Sequence, residues 1–172
     1  MKTKIFTLAI LMIAFSAASF AQSTAYASTT AVLVTPISIS KTTDMHFGTL
    51  ASSGTAGTVV LDYVDGPTAT GGASLPAGSV LQTTAVFGVT GENNSSFAIS
   101  IPSGAITLTG SVSGTMTVDN FVCDAGASTT LSAGSKTLKV KATLNVPANT
   151  VAGTYSNALA NASALFVTVN YN

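Results

Sequence analysis

The sequence predicts an all-β protein built as a β-sandwich of two packed sheets. Short segments in which apolar and polar residues alternate recur along the chain, as in half-buried strands. Turns rich in Gly, Pro, Asn and Ser separate these segments, and no helical periodicity is evident after the first 21 residues. Hydrophobic residues make up 47% of the 172 residues and charged residues only 7%. This excludes a disordered chain and gives one domain enough apolar surface for a core.

The first 21 residues are predicted to be a signal peptide that contains the chain's one helix. Residues 1–4 carry two lysines, residues 5–20 form an apolar run, and residues 19–21 place small side chains where a signal peptidase cleaves, after Ala21. Cleavage after Ala27 is the second choice. An uncleaved membrane anchor is the less favoured alternative, because the apolar run is short for a span. The sequence thus predicts export through the Sec pathway to the periplasm, the cell surface or the extracellular medium.

The mature chain has few charges. From Gln22 onward it keeps four lysines and no arginine against six acids, a net charge of about −2. It has no basic stripe, so nucleic acid is not an expected partner. A surface with so little charge is poorly protected against association, which suits a protein that assembles. Cys123 is the one cysteine. It is predicted to be buried, with a free thiol or a bond between molecules as alternatives.

Residues 22–34 are predicted to be a flexible arm, and residues 35–172 the sandwich domain. The end of the arm alternates as a strand would, and Pro36 after it marks a sheet edge because proline cannot donate to a ladder. This piece is either the domain's own first strand or a donor strand for a neighbour. Val32 and Val34 are the favoured anchors, because β-branched residues suit strands. The candidate assembly residues of the arm are Ala31, Val32, Leu33 and Val34.

Several internal segments are predicted strands. Residues 58–64 alternate, and residues 85–90 and 96–101 are predicted to form a hairpin, with a bulge at Gly88. Residues 137–146 alternate most regularly, with lysines on the face that meets water, where they blunt unwanted pairing. The predicted inward residues of this last segment are Leu138, Val140, Ala142, Leu144 and Val146.

Residues 164–172 are predicted to be the final strand. They read ALFVTVNYN, with β-branched and aromatic residues at a period of two, and no turn residue follows. The chain therefore ends within a strand that must complete a sheet edge. The predicted buried face, and the second set of candidate assembly residues, is Leu165, Val167, Val169 and Tyr171.

No constellation of residues predicts catalysis, so an enzyme is not expected, nor is a cofactor or a metal. His46 is the single histidine, so a histidine cluster for a metal is excluded and a catalytic triad would depend on it alone. The acids lie mostly beside Gly and Asn, which favours turn-capping roles over a carboxylate pair or a calcium site.

Six segments carry a resemblance to a known family: residues 34–39, 44–50, 87–91, 116–121, 152–155 and 167–171. In their order and spacing they resemble a secreted bacterial domain-of-unknown-function family, number 4402, which is similar in pattern to spore coat protein U and to chaperone–usher fimbrial subunits. The resemblance covers nearly the whole mature chain. It implies an immunoglobulin-like sandwich that lacks one strand and is completed by strand donation.

The same resemblance implies partners and a function. A periplasmic chaperone would first fill the gap, the arm of the next subunit would replace it, and an outer-membrane usher would export the polymer. Gly153 and Tyr171 match the fimbrial C-terminal pattern, although residues 156–163 make the spacing longer than usual. The expected function is a structural subunit of a surface filament or coat, with other copies of itself as partners. The alternative is a monomeric secreted binding module for carbohydrate or a host surface.

Overall fold

The computed structural model describes residues 22–78, 81–160 and 164–172. The predicted signal peptide, residues 1–21, lies outside the described residues. Apart from one turn of 3₁₀ helix, the described part of the chain has no helix, and its regular structure is β-strand. The prediction of an all-β sandwich is confirmed.

Eleven strands are described, and all their pairings are antiparallel. Strands β1 to β11 span Ser38–Thr43, Ala51–Val60, Thr68–Ser74, Ala85–Thr90, Ser96–Ser100, Ile106–Gly110, Thr115–Cys123, Ser128–Thr130, Ser135–Val146, Tyr155–Ser156 and Thr168–Tyr171, and the 3₁₀ turn is Asn157–Ala160. The larger sheet has the order β1-β4-β9-β7-β6-β10, with β2 also on β9 and β3 on β2. The smaller sheet has the order β11-β5-β8.

Strand β9 is the centre of the larger sheet. One edge pairs with β4 over residues 135–140 and with β2 over residues 143–146, while the other edge pairs with β7 over residues 140–145. Its alternate residues point to the core and are at most 2% exposed. The predicted inward face of this strand is therefore confirmed for Leu138, Val140, Ala142, Leu144 and Val146.

The core consists of two clusters of buried side chains. The first lies between the sheets, where Phe87 of β4 in the larger sheet shares a cluster with Phe97 of β5 and Val169 of β11 in the smaller sheet. The second involves β2, β7 and the far half of β9, and loop residues before β2 pack against it. The second cluster comprises Val59, Ala73, Met116, Val118, Ala142, Leu144 and Val146.

The predicted hairpin of residues 85–90 and 96–101 is wrong, although both strands exist. Strand β4 pairs with β1 and β9, and strand β5 pairs with β8 and β11, so residues 91–95 carry the chain from one sheet to the other. The reason lies in the core. Phe87 and Phe97 face each other across the sandwich and both become buried, which side-by-side pairing of the two strands would not achieve.

The predicted bulge at Gly88 is also wrong. Strand β4 pairs with β9 in unbroken register through this residue. The irregularity lies in β1, where Lys41 and Thr43 pair with Phe87 and Val86 of β4 and leave Thr42 extra. A Cβ at Gly88 would make only ordinary contacts, 3.7 Å from the Ser40 hydroxyl. Gly88 is thus an ordinary strand residue without a side chain.

The predicted strand over residues 58–64 lies earlier than expected. Strand β2 runs from Ala51 to Val60, and its first part was missed because it is rich in Ser and Gly. Glycine is required there, because a Cβ at Gly57 would collide with the Ala73 amide nitrogen of β3. The close approach of β2 and β3 therefore depends on residues that carry little strand propensity.

Candidate assembly site at an open sheet edge

Strand β11 is the terminal strand of the smaller sheet. It pairs with β5 alone, so its outer edge has no ladder partner among residues 22–78, 81–160 and 164–172. The expected strand over residues 164–172 is correspondingly shortened to four residues. Its pairing begins where Thr168 meets Ser100, the last residue of β5, and Pro102 follows shortly after. The partner strand therefore limits the length of β11.

The register shows which backbone groups face the open edge. The Asn172 amide donates to the Ser96 carbonyl over 3.3 Å, towards β5. In an antiparallel pair the hydrogen-bonded positions alternate, so the amides and carbonyls of Val169 and Tyr171 point away from β5. The Ile99 amide, opposite Val169, is consistent with this register, because it points away from β11 and donates to the Ala127 carbonyl on the far side of β5 (2.8 Å). The open edge thus presents the backbone groups of two residues that have no ladder partner in the described part of the chain.

The predicted C-terminal face exists, but it is less buried than expected. Leu165, Val167, Val169 and Tyr171 all pack with the first core cluster. Only Val169 is buried, at 8% exposed, and the other three are half-buried. The physical reason is the open edge, because no described strand lies beyond β11 to cover their outer sides.

Strand β1 has the same edge position in the larger sheet that β11 has in the smaller sheet. It is the larger sheet's terminal strand, pairs with β4 alone, and contacts β11. Ile37 and Ile39 pack half-buried against the same core cluster as the C-terminal face. We call this meeting of terminal strands the β1–β11 seam. Its half-buried apolar residues are Ile37, Ile39, Leu165, Val167 and Tyr171.

A ring of hydrogen bonds lies at one end of the seam. The Tyr171 hydroxyl donates to the Thr35 carbonyl (2.7 Å) and accepts from the Glu92 amide (2.6 Å). The Thr35 amide in turn donates to the Glu92 carboxylate (2.9 Å), a bond that holds the pKa of Glu92 below its ordinary value. Gly91 lies under the ring, since a Cβ there would collide with the Tyr171 hydroxyl oxygen. A cavity of about 390 Å³ beside it is lined by Val34, Ser95, Ser96, Tyr171 and Asn172.

Sequence reasoning missed this ring. Tyr171 was singled out for its apolar ring, whereas its hydroxyl partners are 79 and 136 residues away in the chain. No local spacing relates them. Gly91 and Glu92 lie in the turn between the segments 85–90 and 96–101, and a turn pattern does not show which distant residue contacts it.

The four candidate residues of the arm are in no strand. Residues 22–37 have no regular structure, and the side chains of Val32 and Leu33 are 90% and 99% exposed. Ala31 is also exposed. Val34 belongs to the compact unit that runs to Asn172, whereas the residues before it do not. The domain's first described strand is therefore β1, which begins at Ser38, and not the apolar end of the arm.

A row of polar side chains crosses the outer face of the larger sheet. It was not predicted, although Thr recurs at every second position in several of its strands. The Thr58 and Thr70 hydroxyls are 2.7 Å apart, and the Asn145 amide nitrogen lies 3.4 Å from the Thr117 hydroxyl. A depression of about 440 Å³ lies beside them. By register the row is Thr107, Thr117, Asn145, Thr58 and Thr70.

Several other titratable groups have structural partners. The ring nitrogen Nδ1 of His46 accepts from the Gly48 amide (2.8 Å) within a turn. Lys141 pairs with Asp62 (3.1 Å), which holds the pKa of that carboxyl below its ordinary value. Cys123 is buried, as predicted, and burial raises the pKa of its thiol. The described residues contain no group of three His, Cys, Asp or Glu that could hold a metal. Nor do they contain a helix long and apolar enough to cross a membrane.

Comparison with known proteins gives a match to a family model. The family model described as Domain of unknown function (DUF4402) matches residues 37–171, from the start of the β1–β11 seam to its end. No curated protein and no solved structure matches the chain significantly.

Proposed function

The chain belongs to the DUF4402 family, and we propose that it is a structural subunit of a bacterial surface filament, a pilus or fimbria, or of a coat, which polymerises by β-strand donation. The observation that carries this proposal is the open outer edge of β11 beside half-buried apolar side chains. The same chain carries an arm whose apolar end, residues 31–34, forms no strand of its own.

Donation would work by β-augmentation. The arm of a second copy adds to the outer edge of β11, where the backbone groups of Val169 and Tyr171 provide hydrogen bonds, and alternate arm residues cover the seam. Val32 and Val34 are the favoured residues to cover the seam. If the arm pairs in the opposite register, Ala31 and Leu33 cover it instead. Burial of the half-exposed seam side chains adds about 25 cal/mol for each Å² of apolar surface removed from water.

This interaction is head-to-tail. The arm and the seam are different surfaces, so each copy uses its arm on one neighbour and its seam on another. Such heterologous contacts do not close on themselves unless the rotation permits a ring, and they produce a filament. Other copies of this chain are thus the main partners of the protein.

Export and assembly would involve further proteins. With residues 1–21 as a cleaved Sec signal, the subunit would reach the periplasm with an unfilled edge. Exposed edges are sites of aggregation, so a periplasmic chaperone would hold the seam of each subunit until an outer-membrane usher passes it to the arm of the next. The proposal assigns no catalytic role and no nucleic-acid partner to the protein.

Deletion of residues 22–34 tests the proposal. When the shortened chain is produced with its cognate chaperone, we expect a folded subunit that does not polymerise, because the compact unit is residues 34–172 and the deletion removes only Val34 from it. The full mature chain should form a ladder of heat-labile multimers in SDS. A synthetic peptide of residues 22–36 should bind the shortened chain and raise its melting temperature. Filaments from the shortened chain, or no effect of the peptide, would contradict strand donation by the arm.

The second candidate function is a monomeric binding module for carbohydrate. The row of hydroxyl and amide groups on the outer face favours it, because such groups can donate to and accept from sugar hydroxyls. Replacement of Thr117 and Asn145 by Ala would then abolish binding to a glycan array while the protein remains a monomer. A polymer whose assembly is unaffected by these replacements would favour the filament.

A further inference from the structure

The ring of hydrogen bonds formed by Tyr171, Thr35 and Glu92 fixes the backbone of Thr35, the residue that directly follows the arm. Two of its three bonds occupy both backbone groups of Thr35, the amide through the Glu92 carboxylate and the carbonyl through the Tyr171 hydroxyl. In the third bond the Glu92 amide donates to the same hydroxyl. Tyr171 is itself part of the open edge, so one residue contacts both the site that would receive a donor strand and the point where the chain's own arm begins.

The directions of β1 and β11 determine the path that the arm would need in order to pair with β11 of its own chain. Ser38 of β1 pairs with Thr90 of β4, and residues 91–95 lead to β5, whose first residues pair near Tyr171. Strand β1 therefore begins at the end of the seam where β11 finishes, and the two run in opposite directions. For residues before Val34 to lie along β11, the chain would have to reverse its direction at Thr35.

Two features oppose that reversal. The ring fixes both backbone groups of Thr35. Pro36 restricts the residue before it to extended conformations, because its ring clashes with a helical backbone at that position. A turn with Thr35 at a central position would thus break the ring and strain the residue next to proline, whereas a turn that begins at Thr35 with Pro36 at its second position is opposed by the ring alone.

We propose that the ring of Tyr171, Thr35 and Glu92 directs the arm to a second copy of this chain by preventing it from folding back into its own seam. This inference rests on strand donation as the proposed function. The ring would make self-completion unfavourable without affecting the open edge as an acceptor. Tyr171 and Glu92 act here as positioning residues.

The test uses the full mature chain, residues 22–172, refolded by dilution. The Tyr171→Phe/Glu92→Ala double variant removes the hydroxyl and the carboxylate and keeps the aromatic ring in the seam. The matched control is Tyr155→Phe, which loses a comparable hydroxyl, bonded to the Ser113 and Val151 carbonyls (3.1 and 2.7 Å), outside the seam. Size is measured by light scattering, and hydrogen exchange of the Val169 amide reports whether the open edge is occupied.

We expect the double variant to give monomers in which the Val169 amide is protected at all protein concentrations. The ratio of such self-completed monomer to multimer should rise at least about tenfold, because the variant loses all three bonds of the ring and one of them is to a charged group. The wild type and the Tyr155→Phe control should protect this amide only in multimers. If the double variant does not fold, Glu92→Ala alone, which keeps the tyrosine, is measured in the same way.

The outcomes separate this inference from the proposed function. A folded variant that forms multimers like the wild type, with no protected monomer, overturns the role of the ring and leaves strand donation standing. A Val169 amide that is unprotected in wild-type multimers as well overturns strand donation itself.

Discussion

Strands β9 and β11 look alike in sequence and differ in how completely the fold surrounds them. Both alternate apolar and polar residues. Strand β9 has partners on both edges, and its five inward residues are at most 2% exposed. Strand β11 has one partner, and of its C-terminal face only Val169 is buried. The alternation shows which face meets the core, whereas the neighbours decide how well that face is covered.

This difference separates the stability of the domain from its assembly. The core around β9 is complete within one chain and should determine whether the domain folds. The seam at β11 is incomplete and should determine what the folded domain binds. Changes in the two regions are therefore expected to have different kinds of effect.

The largest effect is expected in β9. Leu138→Ala removes a fully buried side chain from the first core cluster and should lower the free energy of unfolding by about 3 kcal/mol, as is usual for such cavities. Urea unfolding of the mature chain measures this. The neighbouring Lys139→Ala, on the exposed face, is the control and should change stability by less than about 0.5 kcal/mol. Equal effects of the two variants would show that β9 is not central to the core.

Gly91→Ala should have the next largest effect. The new methyl group would collide with the Tyr171 hydroxyl and would also press on the Leu131 side chain, at 3.0 Å from its Cδ1 atom. Tyr171 or the turn must move, and overpacking of this kind costs about 1–3 kcal/mol. Thermal unfolding measures the loss, and the Tyr171→Phe background is the control. There the cost of Gly91→Ala should be smaller, and an undiminished cost would mean that the clash is not with the hydroxyl.

Val167→Asp distinguishes folding from assembly at the seam. Because Val167 is half-buried, we expect the variant to lose only about 1 kcal/mol of stability, a typical value for a substitution outside the core. Its affinity for the peptide of residues 22–36 should fall at least tenfold, because a donated strand would bury the new carboxylate. Titration calorimetry and unfolding measure the two effects. An unfolded variant would show that the C-terminal face is as essential to folding as the inward face of β9.

The smallest effect is expected for Gly88→Ala in β4, next to β9. A methyl group there meets no atom closer than 3.7 Å, and glycine within a strand is unfavourable by about 0.5–1 kcal/mol relative to alanine. We therefore expect a gain in stability of about 0.5 kcal/mol, seen as a small rise in the denaturation midpoint. A loss would indicate that β4 does not tolerate side chains on that face.

Much of the fold could be predicted from the sequence because alternation is a local signal. It identified β9, β4, β5 and the face of β11. That β4 and β5 lie in different sheets could not be predicted, because turn residues such as Asn94 (φ 59°) permit a crossing between sheets as well as a hairpin. The first part of β2 was missed because Gly57 is there for close backbone approach and not for strand propensity.

The candidate site was predictable in part for a similar reason. The apolar residues of the arm and of β11 stand in short patterns that can be read locally. The ring at Tyr171 depends on contacts between distant segments, which only the folded structure brings together. The open edge likewise follows from the order of strands in the whole sheet, because the sequence of one strand does not show which of its edges remains unpaired.

The most direct test of the central claim is hydrogen exchange of individual amides in the chain that lacks residues 22–34. The Val169 amide should exchange rapidly, whereas that of Leu144 in β9, within the central ladder, should be protected. Addition of the peptide of residues 22–36 should slow exchange at Val169 at least tenfold and leave Leu144 unchanged. If Val169 is already protected without the peptide, or if the peptide does not slow its exchange, the edge of β11 is not an acceptor for the arm.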